Sequence, residues 1–307
     1  MAQSNFTMPA PAWLKLRTVV FSHGWVDLPP FAWDEAGKTL RAVGRINRRV
    51  VILDIKQPKP SRLDVTVTSK GAVSASTLDE AKRVVQEMLG LSHDFAEFYE
   101  LAGEDFAWAQ NLGSGPFLRG ASVFEDAVKM LATTNCSWSL TRQMIQRLVN
   151  ELGEKGPEGV RAFPTSEQMA ERSADFYRDV IRTGYRAKFF KEIADVSATG
   201  RMDLESWKQF PGTTKDLVTE IRQVPGLGRY AAENLCKLLG RFDGLGLDSW
   251  CLKKFPMVRG PVRGDVTKAI ERHYKRFGSW QGLALWLDLT RDWHQKEETI
   301  PEPFQKK

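Results

Sequence analysis

A short glycine-rich turn between two amphipathic segments is the feature that most constrains the fold of this 307-residue chain. Thr213-Thr-Lys-Asp216 has the pattern of a capping box, in which a hydroxyl and an acid three residues later satisfy free amides at a helix start. Apolar residues then recur at helical spacing up to Pro225-Gly226, where the helix must end because proline cannot continue it and glycine accepts positive φ. A second helical run begins after Gly228. The sequence therefore predicts two helices joined by a tight hairpin.

The turn itself has the character of a phosphate-binding site. The backbone amides of Gly226, Leu227, Gly228 and Arg229 stand at the start of the second helix, and a phosphate can approach the two glycines closely. Arg222 and Arg229 flank the turn and are candidates for phosphate contacts. The same residues match the outline Gly-x-Gly-x-x-Ala of a dinucleotide-binding loop, but that loop needs a buried strand before its first glycine. Charged residues at helical spacing precede it here, so a helical hairpin is favoured.

The rest of the chain predicts an α+β fold, with a small antiparallel sheet followed by a helical body. Alternating apolar residues predict strands near 40–45, 50–55 and 63–68, with a turn at 56–61. Helical spacing predicts helices at 78–89, 121–131, 140–152, 167–181, 187–196 and 266–277, besides the hairpin pair. We therefore divide the chain into a disordered N-terminus (1–12), a β subdomain (13–76), a helical body (77–294) and a flexible tail (295–307).

The hairpin and the lone Asp248 that follows it resemble the defining motif of the helix-hairpin-helix (HhH-GPD) superfamily of DNA glycosylases. Three further segments resemble its 8-oxoguanine branch: Thr133-Thr-Asn-Cys-Ser-Trp138, Gly184-Tyr-Arg-Ala187, and the stretch from Phe277 to Trp286. The resemblance runs from about residue 20 to about residue 293. It implies an enzyme of base excision repair that flips a damaged base out of duplex DNA and removes it.

Asp248 is the catalytic residue that the resemblance implies. Cleavage of an N-glycosidic bond makes the sugar cationic, and an ionised carboxylate can stabilise that cation and orient water onto it. The competing interpretation is that Asp248 only caps a helix that begins at Ser249. Relatives often carry a proline shortly before this aspartate, whereas Gly246-Leu247 stand here.

Tyr230 occupies the position at which bifunctional relatives carry a lysine that forms a Schiff base with the sugar. We therefore expect no AP lyase activity. Lys237, about two helical turns further on, is interpreted as a surface charge. An aromatic residue at position 230 resembles the alkylpurine branch, in which a tryptophan there lines the pocket.

The base pocket is predicted to contain Tyr230, Trp138 and Trp250, because aromatic faces attract cationic alkylated purines. Asp288 falls near the position of a base-reading glutamine in the oxoguanine branch, with a solvated helix face as the alternative. Asn135 matches the residue that fills the gap left by the extruded base, and a turn or cap asparagine is its alternative.

The leading hypothesis is a monofunctional glycosylase that hydrolyses damaged, chiefly alkylated, purines. Two alternatives remain open. The first is a glycosylase of the 8-oxoguanine type, and the second is a DNA-binding protein that uses the hairpin only to hold phosphates.

No cofactor is expected to be required. The three cysteines are too far apart for a disulfide framework or a zinc site, and no cysteine follows Cys251 that could complete the iron–sulfur cluster of some relatives. The resemblance implies a structural Na⁺ or K⁺ held by the backbone carbonyls of Arg222, Val224 and Leu227.

The partner is expected to be double-stranded DNA that contains damaged bases. Lys and Arg outnumber Asp and Glu by 44 to 38, which gives a net charge of +6 and suits an anionic partner. No stretch is long and apolar enough for a membrane span and no signal pattern is present, so we expect a cytoplasmic monomer, nucleoid-associated in a bacterium or nuclear in a eukaryote.

Overall fold

The N-terminal part of the chain folds into a five-stranded antiparallel sheet with the strand order β1-β5-β4-β3-β2. The structure is a computed structural model that describes residues 1–295. Period-two alternation holds in β5, where Leu63, Val65 and Val67 are buried between partly exposed polar residues. The strands are β1 (Ala2–Pro9), β2 (Phe31–Asp34), β3 (Thr39–Ile46), β4 (Arg49–Lys59) and β5 (Arg62–Ser69).

The first residues of the chain form an edge strand, so the prediction that residues 1–12 are disordered is wrong. β1 pairs with β5 along its whole length. Phe6 is the one residue of β1 that is buried. Its hydrophobic signal is therefore weak, and the strand is held mainly by backbone hydrogen bonds to a partner that lies some sixty residues away in sequence.

The turn between the last two strands is shorter than predicted, because β4 continues to Lys59. The register between β4 and β5 shifts between Lys56 and Lys59. Pro58 lies inside this irregularity, where its missing N–H costs no ladder hydrogen bond. The turn is therefore reduced to Pro60 and Ser61.

The remainder of the described chain is mainly helical, as predicted, and none of the helices in residues 1–295 is long and apolar enough to cross a membrane. The helices are α1 (Leu16–Val20), α2 (Ala75–Met88), α3 (Ala96–Ala102), α4 (Ala107–Leu112), α5 (Val123–Thr133), α6 (Trp138–Leu152), α7 (Ser166–Ala170), α8 (Ala174–Phe176), α9 (Ala187–Ala198), α10 (Thr214–Ile221), α11 (Arg229–Leu238), α12 (Ser249–Arg259), α13 (Val266–Tyr274), α14 (Gln281–Leu289) and α15 (Arg291–Gln295). Most of the predicted helices are present with shifted ends. The short α3 and α4 were not predicted, and the predicted tail lies outside the described residues beyond Gln295.

The single helix predicted at 167–181 is broken into α7, α8 and a π-helical turn over Tyr177–Ile181. Ser173 starts α8 by accepting a hydrogen bond from the amide of Phe176 at 3.2 Å. Tyr177 is buried and donates its hydroxyl proton to the carbonyl of Met169 at 2.5 Å. Packing of Tyr177 therefore decides the local path, and helical periodicity does not reveal the break.

One continuous hydrophobic core joins the sheet to the helices, which makes the fold α+β as predicted. Val51 and Leu53 of β4, Leu131 of α5 and Leu235 of α11 all belong to it. α11 contacts both α10 and α5 in this core. The hairpin is therefore fixed against the loop that follows α5.

Candidate active site

The predicted helical hairpin is present as α10 and α11. A capping box starts α10: the Thr213 hydroxyl accepts from the amide of Asp216 at 3.2 Å, and the Asp216 carboxylate accepts from the amide of Thr213 at 3.0 Å. Leu217 and Ile221 of α10 are buried, as is Leu235 of α11. The sequence pattern predicted this element correctly because its signals are local.

The two glycines of the turn have different roles. Gly226 has a φ of +90°, and a Cβ there would lie 2.8 Å from atoms of Leu131 and Phe189. Gly228 has a φ of −72°, and a Cβ there would meet no atom within 4 Å. Leu227 between them is buried. Packing therefore demands glycine at position 226, whereas position 228 borders open space.

A surface groove of about 710 Å³ runs between the hairpin turn and the loop after α5. Its lining includes both glycines together with Asn135, Arg229 and Asp248. The Arg229 side chain is 78% exposed and pairs with Glu233 at 2.7 Å. The groove thus unites Gly226, Gly228 and Arg229 with Asn135, whereas the predicted contacts Leu227 and Arg222 do not line it.

Asn135 sits on a tight turn between α5 and α6, with a φ of +46°. Its side-chain amide donates to the hydroxyl of Tyr185 at 3.3 Å. The buried guanidinium of Arg186 donates to the Thr134 carbonyl, with the Nε contact at 2.9 Å, and so braces the turn. The sequence singled out this segment only by resemblance, and Tyr185, which is 57% exposed, is a groove residue that it missed.

Asp248 both caps a helix and lines the groove. Its Oδ1 accepts a hydrogen bond from the amide of Cys251 at 2.8 Å, which makes it the N-cap of α12. The side chain also lines the groove and an adjoining cavity. The two interpretations from sequence are therefore compatible, because one carboxylate oxygen suffices for the cap.

Three side chains of α11 hold the loop that leads to Asp248. Glu233 Oε2 accepts from the amide of Gly246 at 2.6 Å, and Asn234 Nδ2 donates to the Gly246 carbonyl at 3.1 Å. Lys237 Nζ donates to the Leu245 carbonyl at 2.6 Å. Gly246 has a φ of +57°, a left-handed conformation that favours glycine. These hydrogen bonds fix the backbone at the place where relatives carry a proline.

A cavity of about 380 Å³ adjoins the groove. Asp248, Tyr230, Thr133 and Cys136 line both depressions, so the cavity opens where the candidate catalytic carboxylate lies. Its remaining walls are largely aromatic: Phe117 and five tryptophans, namely Trp25, Trp138, Trp250, Trp286 and Trp293. This volume is within the range of small-ligand sites.

Hydrogen bonds from indole N–H groups and contacts between rings fix the positions of the tryptophans. The indole N–H of Trp138 donates to Asp27 at 2.8 Å, and that of Trp286 donates to the Ser22 carbonyl at 2.8 Å. Trp250, Trp286 and Trp293 form a cluster with ring centroids 5.6 to 5.9 Å apart. The predicted pocket residues Trp138 and Trp250 therefore do line the cavity, in a rigid aromatic wall.

Tyr230 and His23 contribute no charge to this cavity near neutral pH. Burial, with a further contribution from Asp248, raises the pKa of Tyr230 to about 12. Burial lowers the pKa of His23 to about 4. His23 Nε2 lies 2.6 Å from the Leu118 carbonyl, so the neutral ring carries its proton on Nε2 and donates a hydrogen bond to that carbonyl.

Lys237 lies in the cavity wall, so its interpretation as a surface charge is wrong. The side chain is only 3% exposed, and burial lowers its pKa. Position 237 is seven residues after Tyr230, two helical turns along α11, so both side chains lie on one helix face. That spacing was a signal in the sequence that the lysine faces the cavity.

Asp288 does not line the cavity, and it is not on a solvated helix face either. Its carboxylate binds Arg259 through two contacts of 2.6 and 2.8 Å, and it accepts from the hydroxyl of Tyr274. The residue is buried. Trp286, two positions earlier on α14, faces the cavity instead, because residues two apart on a helix point in different directions.

Within residues 1–295, no three His, Cys, Asp or Glu side chains come close enough to hold a metal ion. At the hairpin, the amide of Leu227 donates to the Val224 carbonyl at 3.1 Å. The Val224 carbonyl, one of the three predicted cation ligands, therefore already accepts a hydrogen bond within the turn.

Comparison with known proteins gives matches at the level of structure. No protein-family model matches the chain, and no curated protein matches its sequence. Matching structures include MBOgg1 in complex with a low-affinity DNA ligand, which has 18% identity and a TM-score of 0.73 over 95% of this chain and 99% of that one. The apo 8-oxoguanine glycosylase/lyase of Clostridium acetobutylicum has 18% identity and a TM-score of 0.72 over 93% and 95% of the two chains.

The 3-methyladenine DNA-glycosylase of Archaeoglobus fulgidus matches equally well, with 19% identity and a TM-score of 0.72 over 95% of this chain and 99% of that one. At these identities the likeness shows the fold. The chain therefore has, over nearly its whole length, a fold found in solved structures of both glycosylase types.

Proposed function

We propose that this chain, which has the fold of the helix-hairpin-helix DNA glycosylases, is a monofunctional DNA N-glycosylase that removes damaged purines, alkylated ones preferentially. One observation carries the proposal: Asp248 and Tyr230 line both the groove beside the hairpin and the aromatic cavity. A carboxylate at such a junction faces the bond between a backbone held in the groove and a base held in the cavity.

The groove supplies what a duplex needs. The hairpin amides hold a phosphate at the open side of Gly228, while Asn135, braced through Thr134 by Arg186, enters the space that the extruded nucleotide leaves. With the base inside the cavity, Asp248 stabilises the cationic sugar and directs water to its anomeric carbon.

The aromatic walls favour an electron-poor base. A cationic alkylated purine is drawn to the faces of tryptophan and tyrosine, and its glycosidic bond is already weakened. Neither His23 nor Tyr230 adds a charge near neutral pH, since their pKa values are displaced to about 4 and about 12. Apart from Lys237 and Asp248, the cavity therefore offers mainly π surface to the base.

An 8-oxoguanine-type activity is the second candidate, and Lys237 favours it. An ammonium in the cavity wall suits a neutral base with a carbonyl oxygen better than a cationic base. The fold is compatible with either preference, because glycosylases of both types share it.

Strand cleavage is not part of the proposed activity. Tyr230 stands at the position of the Schiff-base lysine, and its phenol cannot form an imine. The backbone of Lys237 lies about 10 Å further along the helix axis at 1.5 Å per residue, and its ammonium is tethered to the Leu245 carbonyl and to Asn234 Oδ1.

The remaining expectations belong to the same proposal. A monovalent cation would be held by the carbonyls of Arg222, Val224 and Leu227 and would support the phosphate-binding turn. We expect the enzyme to act as a monomer, because groove and cavity both come from one chain. Cytoplasmic or nuclear DNA is its expected substrate.

A panel of duplexes, each with one lesion, tests the proposal. We expect abasic sites that become strand breaks only after hot alkali, and fastest release of N3- or N7-alkylated purines. Binding without abasic-site formation on every lesion would instead identify a non-catalytic hairpin protein, and breaks without alkali would identify a lyase.

A further inference from the structure

Lys237 is a buried cation that the proposed hydrolysis by Asp248 and water does not use. Its ammonium is tethered by two hydrogen bonds, one to the Leu245 carbonyl at 2.6 Å and one to Asn234 Oδ1 at 3.3 Å. A lysine ammonium has three N–H donors. One donor is therefore left for a ligand in the cavity whose wall the residue forms.

The position of Lys237 suits contact with a base rather than with the sugar. It is two helical turns deeper along α11 than Tyr230, which borders the groove. Leu238 and Asn234 line the cavity beside it. A base that enters past Tyr230 thus presents its far edge to the ammonium.

We propose that Lys237 is the general acid for neutral purines and so extends the substrate range beyond cationic bases. This inference rests on the proposed glycosylase function. As the bond between C1′ and N9 breaks, its electron pair stays with the base, and the Lys237 proton passes to a ring nitrogen or carbonyl oxygen of the base. Water adds its oxygen to C1′ and gives a proton to Asp248; Asp248 then releases that proton to solvent, and Lys237 takes one up from solvent.

The charged surroundings of Lys237 suit a proton donor. Burial lowers its pKa, while Cys251, Glu233, Asp248 and Cys236 oppose that change. A lysine with a lowered pKa is a stronger acid than an exposed one.

A general acid at position 237 would affect cationic and neutral lesions differently. A cationic alkylated purine leaves as a neutral base without gaining a proton, so it needs no acid. A neutral lesion such as 8-oxoguanine or hypoxanthine must gain one, because its anion leaves poorly. Loss of the Lys237 proton should therefore slow release of neutral purines and spare cationic ones.

Lys237→Met tests this distinction, because methionine keeps the length of the side chain without the amine. We expect single-turnover release of 8-oxoguanine and hypoxanthine to fall on the order of 10²-fold relative to release of 3-methyladenine, the scale of general acid catalysis. Equal loss on all three lesions would mean that the lysine only positions the Leu245 loop, and would overturn the inference.

Glu233→Gln is the second variant. Glu233 holds the same loop through the Gly246 amide, does not line the cavity, and raises the pKa of Lys237 against the effect of burial. Because glutamine removes that charge, the fall in the ratio of 8-oxoguanine release to 3-methyladenine release with rising pH should move to lower pH in this variant. Equal slowing of both lesions at every pH would show that only the position of the loop matters, and would overturn the inference.

The pH profile of the wild-type protein gives a second readout that does not depend on a folded variant. The ratio of 8-oxoguanine release to 3-methyladenine release should fall as pH rises through the lowered pKa of Lys237, because only the neutral lesion needs its proton. A ratio that stays constant up to pH 10, or a wild-type enzyme that releases only cationic lesions, would overturn the inference alone. Release of no lesion at all would overturn the proposed function with it.

Discussion

The indole N–H of Trp25 donates a 2.7 Å hydrogen bond to Oδ1 of Asp126, which links a ring of the cavity wall to a buried carboxyl group on α5. The same oxygen accepts from the amide of Gly120 at 2.7 Å. Burial raises the pKa of Asp126 to about 6 from its ordinary 3.8, although Arg119 opposes the change. The cavity wall is therefore supported by a carboxyl group whose protonated form stabilises the folded state more than its ionised form does.

Asp126→Asn should remove a pH dependence of stability. Between pH 4 and pH 6 the folded state binds this proton more tightly than the unfolded state, so the free energy of unfolding falls as pH rises through this window. The contribution is on the order of 2 to 3 kcal/mol. Asparagine keeps an acceptor oxygen for the Trp25 indole but does not titrate. The free energy of unfolding of the variant, measured with denaturant, should therefore not fall between pH 4 and pH 6. The exposed-carboxylate variant Asp79→Asn is the control that should keep it, and an unchanged slope in Asp126→Asn would refute the assignment.

Asp248→Asn should separate the two roles of Asp248. Asparagine caps helices about as well as aspartate, so the melting temperature and duplex binding should be retained. Excision should drop on the order of 10²-fold or more, because the charge that stabilises the cationic sugar is gone. Asp248→Ala should in addition lose about 1 kcal/mol of stability with the cap. Near-normal turnover in Asp248→Asn would leave the residue as a cap alone.

The two hairpin glycines should respond differently to alanine. Gly226→Ala places a Cβ at positive φ against Leu131 and Phe189, and should cost about 1 to 3 kcal/mol of stability. Gly228→Ala should leave the melting temperature unchanged, because no atom lies within 4 Å of its Cβ position. It should weaken binding to damaged and undamaged duplex alike, roughly tenfold, the scale of one hydrogen bond to a charged group.

The salt dependence of duplex binding is a further test of the hairpin as the phosphate-binding element. Duplex affinity of the wild-type protein should fall as salt is added, because phosphate contacts release counterions. If Gly228→Ala and the bulkier Gly228→Val bind duplex as tightly as the wild type, the hairpin is not the DNA anchor.

Borohydride should trap no covalent adduct between the wild-type protein and lesion-containing DNA, because Tyr230 offers no amine to the sugar. Electrophoresis of the reduced mixture under denaturing conditions makes the measurement. Tyr230→Lys places an amine at that position and is the positive control. An adduct in the wild type would make Lys237 or another amine the nucleophile and the enzyme bifunctional.

Tyr230→Ala should reduce the difference in release rate between alkylated purines and 8-oxoguanine. We expect the wild type to release N3- or N7-alkylated purines faster than 8-oxoguanine, with Tyr230 contributing part of the π surface that favours a cation. Removal of the ring should slow the alkylated bases more than 8-oxoguanine in parallel single-turnover assays. Faster release of 8-oxoguanine than of every alkylated base by the wild type would favour the oxidised-purine alternative.

Several elements were predictable from the sequence because their signals are local. The capping box from Thr213 to Asp216, the break at Gly226 and the alternation of β5 each depend on side chains a few residues apart, so their structures follow from short-range sterics and hydrogen bonding. The position of Asp248 was also readable, because its distance from the hairpin is a spacing along the chain.

Contacts between side chains that are far apart in the chain could not be predicted from the sequence. β1 is a strand because β5 lies beside it, and Asp288 is withdrawn from the cavity because Arg259 and Tyr274 bind it. Among ten tryptophans, the five that line the cavity come from distant segments. Lys237 became part of the site because α14 and the Leu245 loop close over it. These outcomes depend on packing between elements far apart in sequence, and composition or periodicity carries no record of those contacts.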